Sequence, residues 1–328
     1  MKKLLIATTA LVAGASAAAA DVTISGYGRF GLQYFEDRGI TEGLTGAAAD
    51  AVENTQIASR LRITINASTE TDVGVTFGAR LRFQNDGEAG TAGNKAMFSV
   101  GYEGFNVQVG NVDTALDSVG LTYDSEMGFD DTSFGDQQGS FWAYRSQGAH
   151  SRQQDDYTGV AATYSVSDIN LYFSYIDPSQ GTKGAYSTRE EEVGFAGDWT
   201  NGQISIAAGI TQDGSGIKDN DLGFIGAAYN FGDGVVGLNY YDNGKTSAGL
   251  DNGTQVTLYG NYTFGATTLK AYVSDWDHDT VDYKTAYGIG ADYSLGEGAR
   301  ISGSVQRGFG IDQGNYGTTA DLGVRFDF

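Results

Sequence analysis

From residue 21 to the end of the chain, apolar and polar side chains alternate with a period of two. In 22–34, one face carries Val22, Ile24, Phe30, Leu32 and Tyr34, and the other Thr23, Ser25, Tyr27, Arg29 and Gln33. In 57–67, Ile57, Leu61, Ile63 and Ile65 oppose Arg60, Arg62, Thr64 and Asn66. In 73–83, Val73, Val75, Phe77, Ala79, Leu81 and Phe83 oppose Thr76, Arg80 and Arg82. About sixteen such runs can be counted, most of about ten residues. Their centres fall near 28, 62, 78, 99, 108, 161, 172, 195, 207, 226, 238, 259, 271, 290, 303 and 323; Gly blurs the alternation at 99, 226 and 238. Successive side chains of a strand point to opposite faces, so this pattern specifies a sheet with one apolar and one polar side. Strands of this length cross a bilayer when tilted. A membrane barrel alternates lipid-facing and lumen-facing residues, so a mean hydropathy of −0.28 is no argument for a soluble protein. The fold expected is all-β: a 16-stranded antiparallel transmembrane β-barrel.

The connections alternate too. Short ones include Glu70-Thr71-Asp72, Thr200-Asn201-Gly202, Gly232-Asp233-Gly234, Gly265-Ala266 and Gly296-Glu297-Gly298, built of residues that tolerate tight hairpins. Long ones cover 36–55, 85–94, 110–156, 177–188 and 277–284, and Pro178, the only proline, sits in one of them. Short turns at one end and long loops at the other are the pattern of a barrel in an outer membrane. No linker or shift of composition divides the chain, so 21–328 reads as one domain.

Residues 1–20 are expected to be a cleaved signal peptide. Lys2 and Lys3 precede a short apolar run, and Ala18-Ala19-Ala20 is a small-residue cleavage pattern. The run is too short for a membrane anchor. Loss of the two lysines takes the net charge from −21 to −23. The absence of Cys excludes disulfides, although an exported chain could form them.

The longest irregular stretch, 110–156, is acidic. Asp113, Asp117, Asp124, Glu126, Asp130, Asp131 and Asp136 precede its first basic residue, Arg145. A loop of this length in a repetitive β protein is usually functional or disordered. Phe129, Phe134, Phe141, Trp142 and Tyr144 argue against disorder, which is poor in aromatics. The stretch is expected to fold into the lumen and narrow it.

Arg29, Arg60, Arg62, Arg80 and Arg82 lie on the polar faces of the first three strands. On the lipid side each would cost about 2–4 kcal/mol near the midplane, so they are assigned to the lumen as a basic wall that the acidic loop faces. They either line a constriction or brace the barrel by pairing with carboxylates, and the two roles are compatible. Charged pore linings tune ion selectivity. The seven loop carboxylates are expected to offset the five arginines and leave a weak cation preference.

Other chemistries fit poorly. A hydrolase needs a nucleophile or water with a base held close by, and His150 and His278 stand in loops at no spacing that suggests a triad or metal site. No cofactor is implied. Asp130-Asp131 and Asp155-Asp156 could hold a divalent cation such as Ca2+ through oxygen ligands. The net charge disfavours nucleic acid. A barrel serving only as an adhesin or anchor is the rival reading, as is a substrate-specific channel. Sixteen strands would leave an aqueous passage for ions and small hydrophilic solutes.

Two further features bear on family. Tyr229-Asn230-Phe231-Gly232, Tyr262-Thr263-Phe264-Gly265 and Tyr293-Ser294-Leu295-Gly296 recur where strands meet short turns, placing aromatic rings at one membrane boundary. The chain ends with Ala320, Leu322, Val324, Phe326 and Phe328 on one face and Asp321, Gly323, Arg325 and Asp327 on the other. That ending, the leader, Ser25-Gly26-Tyr27-Gly28-Arg29, and the segment from Tyr287 to Gly296 resemble Gram-negative general porins. The ending is especially similar to porins of the Rhodobacter type. The resemblance implies a homotrimer in the bacterial outer membrane, in contact with lipid and lipopolysaccharide, with the third long loop folded into the lumen. It also implies that Phe326 and Phe328 belong to a signal read by the barrel assembly machinery.

Overall fold

A computed structural model describes residues 21–328 except 37, 42, 88–89, 147–157, 178–188, 279 and 311–316. Among the described residues, seventeen strands form one antiparallel sheet. The first six are β1 (Asp21–Phe35), β2 (Thr55–Glu70), β3 (Thr76–Asp86), β4 (Thr91–Gly93), β5 (Met97–Tyr102) and β6 (Phe105–Gly110). After the long loop come β7 (Thr158–Val166), β8 (Ile169–Asp177), β9 (Glu192–Thr200), β10 (Ile204–Gln212), β11 (Leu222–Asn230) and β12 (Gly234–Asp242). The last five are β13 (Thr254–Phe264), β14 (Thr267–Asp277), β15 (Ala286–Gly296), β16 (Ala299–Arg307) and β17 (Thr318–Asp327). Each strand pairs with the next, except that β4 and β5 both pair with β3, and β1 pairs with β17, so the sheet closes. β4 and β5 are two halves of one stave, because both pair with β3. The barrel therefore has sixteen staves. Between the halves, Asn94 replaces part of the ladder: its backbone N–H donates to the Arg82 carbonyl at 3.0 Å, and its side-chain oxygen accepts from the Arg82 N–H at 2.8 Å.

Two boundaries differ from the sequence reading. β3 begins at Thr76 rather than Val73, because Thr71 to Val75 form a wider turn, with the Thr71 N–H donating to the Val75 carbonyl. The loop expected over 85–94 is shortened by β4, which continues the pairing with β3. Pro178, Asp155, Asp156, His150 and the leader 1–20 lie outside the described residues.

The apolar faces point outward. Ile24, Ile57, Ile289 and Leu322 are 65, 83, 66 and 61% exposed in the isolated chain, as suits side chains covered by lipid. Both aromatics of Tyr229/Phe231 and Tyr262/Phe264 are also exposed at strand ends, and Phe231 stacks on Tyr262 with centroids 6.3 Å apart. Positive φ at Gly232, Gly265 and Gly296 lets the chain reverse just after each aromatic group. The inward faces are polar: Asn239, Thr257, Ser274, Ser302 and Gln306 are all buried. Such a wall cannot supply an apolar core. The segment after β6 does. Leu116, Val119 and Leu121 form a buried cluster with Ala207, Leu222, Phe224 and Tyr241. Val112 and Trp142 do the same with Ala161 and Ile176, and Met127 with Tyr259 and Tyr272. These apolar anchors hold the segment inside the barrel, where the hydrophobic effect outweighs its hydrophilic composition.

Candidate functional site

The inward segment runs out along the wall and returns. On the outward leg, the Leu121 carbonyl accepts from Asn239 at 2.6 Å, and the Thr122 carbonyl accepts from the Tyr241 hydroxyl at 3.1 Å. Farther on, Asp124 accepts from the Tyr259 hydroxyl at 3.2 Å, and the Phe129 N–H donates to Asp321 at 3.2 Å. The tip, Asp130-Asp131, reaches β1, β16 and β17. On the return leg, the Thr132 carbonyl accepts from Gln306, the Phe134 N–H donates to the Tyr272 hydroxyl, and the Gly135 carbonyl accepts from Thr257. The Trp142 N–H donates to Glu192 at 2.8 Å. The return leg ends beside its own root. Asn111, fully buried, accepts from the Arg145 N–H at 3.1 Å and donates to its carbonyl at 2.8 Å, while Asn94 donates to the same carbonyl at 2.9 Å.

All five sequence-predicted arginines face the interior, on adjacent staves. Arg29 is 5% exposed and pairs with Asp130 of the loop tip. Arg60 pairs with Asp86 of β3. Arg80 Nη2 donates to Asp113 at 2.7 Å, at the loop root. Arg62 Nε donates to Gln84 at 2.6 Å, and Arg82 donates to Thr64 at 3.3 Å and to Ser146 at 2.6 Å. Among the described residues neither Arg62 nor Arg82 has a carboxylate at ion-pair distance. Asp131 pairs with two further arginines, Arg300 of β16 at 2.9 Å and Arg325 of β17. A polar cavity of about 790 Å³ opens beside Arg29, Arg60, Asp86 and Asp130.

The expected opposition of seven carboxylates to the wall is only partly realised. Asp113, Asp130 and Asp131 meet guanidinium groups. Asp117, Asp124, Glu126 and Asp136 turn to the opposite wall or into the loop itself. Asp117 accepts from the Tyr123 hydroxyl at 2.8 Å and from the Tyr144 N–H at 3.1 Å. Asp136 accepts from Ser125 at 2.8 Å. Burial raises the pKa of Asp117 above the ordinary carboxylate value. It lifts Asp136 to about 7 and, with the nearby charges of Asp136 and Asp131, Glu126 to about 8. The reason is geometric: the outward leg needs its apolar side chains against β10–β14, and the acidic residues interleaved with them stop short of ion-pair contact with the arginines of β1–β3, although Arg82 and Arg29 still act through space on Asp117 and Glu126. The described residues contain no group of three His, Asp or Glu side chains placed to hold a metal ion; Asp130 and Asp131 are engaged by arginines.

Sequence reasoning missed Tyr27, Tyr144, Arg300 and Arg325. Tyr27 is 8% exposed. The guanidinium carbons of Arg325, Arg62 and Arg29 lie 4.2, 5.0 and 5.7 Å from its ring centroid. Those of Arg80 and Arg82 lie 4.0 and 4.5 Å from the ring of Tyr144. An aromatic face attracts cations at such distances, so the two rings let like charges crowd together. Arg325 could have been found by closing the barrel on paper, since β17 sets it directly opposite Arg29.

A family model described as Gram-negative porin matches residues 7–310. A porin of Fuscovulum blasticum is 57% identical over 312 residues, covering 94% of this chain and all of that protein. A porin of Rhodobacter capsulatus is 28% identical over 329 residues, with 94% of this chain and all of that one covered. The solved structure of a triple mutant of Rhodopseudomonas blastica porin aligns with a TM-score of 0.82 at 56% identity, over 94% of this chain and 100% of that one. The closed barrel of sixteen staves and this likeness along nearly its whole length place the chain in the Gram-negative porin family, whose members are outer-membrane channels and not enzymes.

Proposed function

We propose that the protein passes ions and small hydrophilic solutes by passive diffusion, with a weak cation preference set at the mouths of the pore and opposed inside it. The observation that carries this reading is the pair of loop-to-wall contacts, Arg80–Asp113 at the root and Arg29–Asp130 with Arg325–Asp131 at the tip. They fasten the loop at both ends of the basic wall and leave Arg62 and Arg82 between them. Arg29, Arg60 and Arg80 are each matched by a carboxylate, so the wall retains a positive charge chiefly from these two residues. The net charge of −21, or −23 without the leader, favours cations at the mouths. That field is screened beyond about 8 Å at physiological ionic strength, so the preference is expected to weaken as salt rises.

The test is single-channel conductance in a planar bilayer, with the zero-current potential measured across a salt gradient. A stable conducting step with a modest cation-selective potential supports the reading. Arg62→Gln with Arg82→Gln is expected to increase the cation preference, and an unchanged potential would place both residues away from the narrow part of the pore. The homotrimer, the contact with lipopolysaccharide, recognition of Phe326 and Phe328 by the assembly machinery, and removal of residues 1–20 belong to the same proposal. They are supported by the family resemblance and by the residue patterns at the two ends.

A further inference from the structure

We propose that Arg62 and Arg82 form a binding subsite for an oxyanion, the carboxylate or phosphate group of a small solute in transit. The inference rests on the channel reading and adds to it a class of solute that lingers. Three observations carry it.

The first is the count of hydrogen-bond donors. A guanidinium has five N–H donors and no acceptor. Arg62 uses Nε on Gln84, and Arg82 uses Nε on Thr64 and Nη1 on Ser146. The remaining Nη donors of both residues meet no described protein acceptor.

The second is placement. β2 and β3 set Arg62 opposite Gln84 and Thr64 opposite Arg82, so the two arginines are diagonal neighbours on one face. Such neighbours stand about 7–8 Å apart at the backbone, a span that two long side chains can close around one anion. Both are half-buried.

The third is rigidity. Arg62 lies over Tyr27 and Arg82 over Tyr144, with centroid distances of 5.0 and 4.5 Å. Tyr144 is itself held by Asn94, whose side-chain amide donates to its hydroxyl at 2.7 Å. The other guanidiniums on these rings, Arg29, Arg325 and Arg80, have their own carboxylates. The two without one are therefore held in place, positively charged and short of acceptors. A planar fork of this kind matches the oxygen pair of a carboxylate or phosphate.

The experiment uses the full-length protein in planar bilayers with KCl held constant, while potassium phosphate or potassium succinate is added. The parent current is expected to fall with added phosphate, succinate or both, along a saturating curve. In Arg62→Gln/Arg82→Gln the half-effect concentration is expected to rise at least tenfold. Arg62→Lys/Arg82→Lys keeps the charge without the fork and is expected to respond in between; it also serves if the glutamine variant does not assemble. Phosphate acting alone would assign the site to phosphate esters, and succinate acting alone to carboxylates; either supports the subsite. A parent current indifferent to both anions overturns it, as does a response that the variants retain in full. Silence in KCl alone would overturn the channel reading itself and with it any site for solutes in transit.

Discussion

Asp131 shows how much can hang on one side chain. It is the shared partner of Arg300 and Arg325, and Arg29 Nη1 also approaches it at 3.8 Å. Asp131→Ala removes the carboxylate these two guanidiniums share and leaves Arg325 with Asp327 at 3.3 Å and Arg300 with Asp292 at 4.0 Å. Lumen water screens part of that cost, so a loss of about 1–2 kcal/mol is expected, read as a lower unfolding midpoint in detergent. The carboxylates on the other side of the loop act through pH. Glu126 and Asp136 hold their protons more tightly in the folded protein, up to about 8 and about 7 against ordinary values of 4.5 and 3.8. The folded state thus binds more protons than the unfolded chain, and stability falls as pH rises. The fall begins near pH 4 and is complete near pH 8. Melting curves at pH 5 and pH 8 are expected to show the lower midpoint at pH 8. Glu126→Gln with Asp136→Asn should reduce that difference, with burial of Asp117 and Asp124 contributing the rest; an equally steep dependence in the variant would assign it to other groups.

Among the elements, the inward loop is the one whose position the sequence could only suggest. Its length, acidity and aromatics marked it. Its path follows from apolar anchors such as Leu116, Val119 and Met127, each of which is about 1% exposed or less, and these did not stand out in an acidic stretch. The same anchors explain why four of seven carboxylates make no ion pair with the arginines of the first three strands. Replacing residues 116–142 with a short Gly-Ser linker removes these anchors and the tip together. Conductance is then expected to rise and larger solutes to enter, measured as single-channel steps and as swelling of liposomes in sugars of increasing size. Unchanged values would mean that the segment does not restrict the lumen.

At the scale of the whole molecule, everything depends on the seam between β1 and β17. An open edge cannot face lipid, because its N–H and C=O groups would have no partners. The register runs from Tyr27↔Asp327 to Phe35↔Thr319. Phe328 extends it by two backbone hydrogen bonds with Gly26, at 2.8 and 2.9 Å, while its ring remains 54% exposed. Deleting Phe328 removes those two bonds and an outward aromatic side chain, but touches nothing in the lumen. The amount of assembled barrel is expected to fall while the conductance of each assembled channel stays the same. Normal assembly would show that the seam tolerates the loss. The closed ring also explains why Arg300 and Arg325, far along the chain from Arg29, belong to the same charged group.

The sequence alone determined the barrel: the staves, their inward and outward faces, and the lumen position of Arg29, Arg60, Arg62, Arg80 and Arg82. It could do so because strand periodicity is local, and a charge on the wrong face would be placed in lipid. Only the tertiary structure decided which of those arginines keep an unbalanced charge. That outcome depends on where a long loop comes to rest and on closure of β17 against β1. Both are contacts between residues remote in sequence, as Arg29 with Asp130 and Arg325 with Asp131 show, and no local pattern encodes which carboxylate will reach which guanidinium.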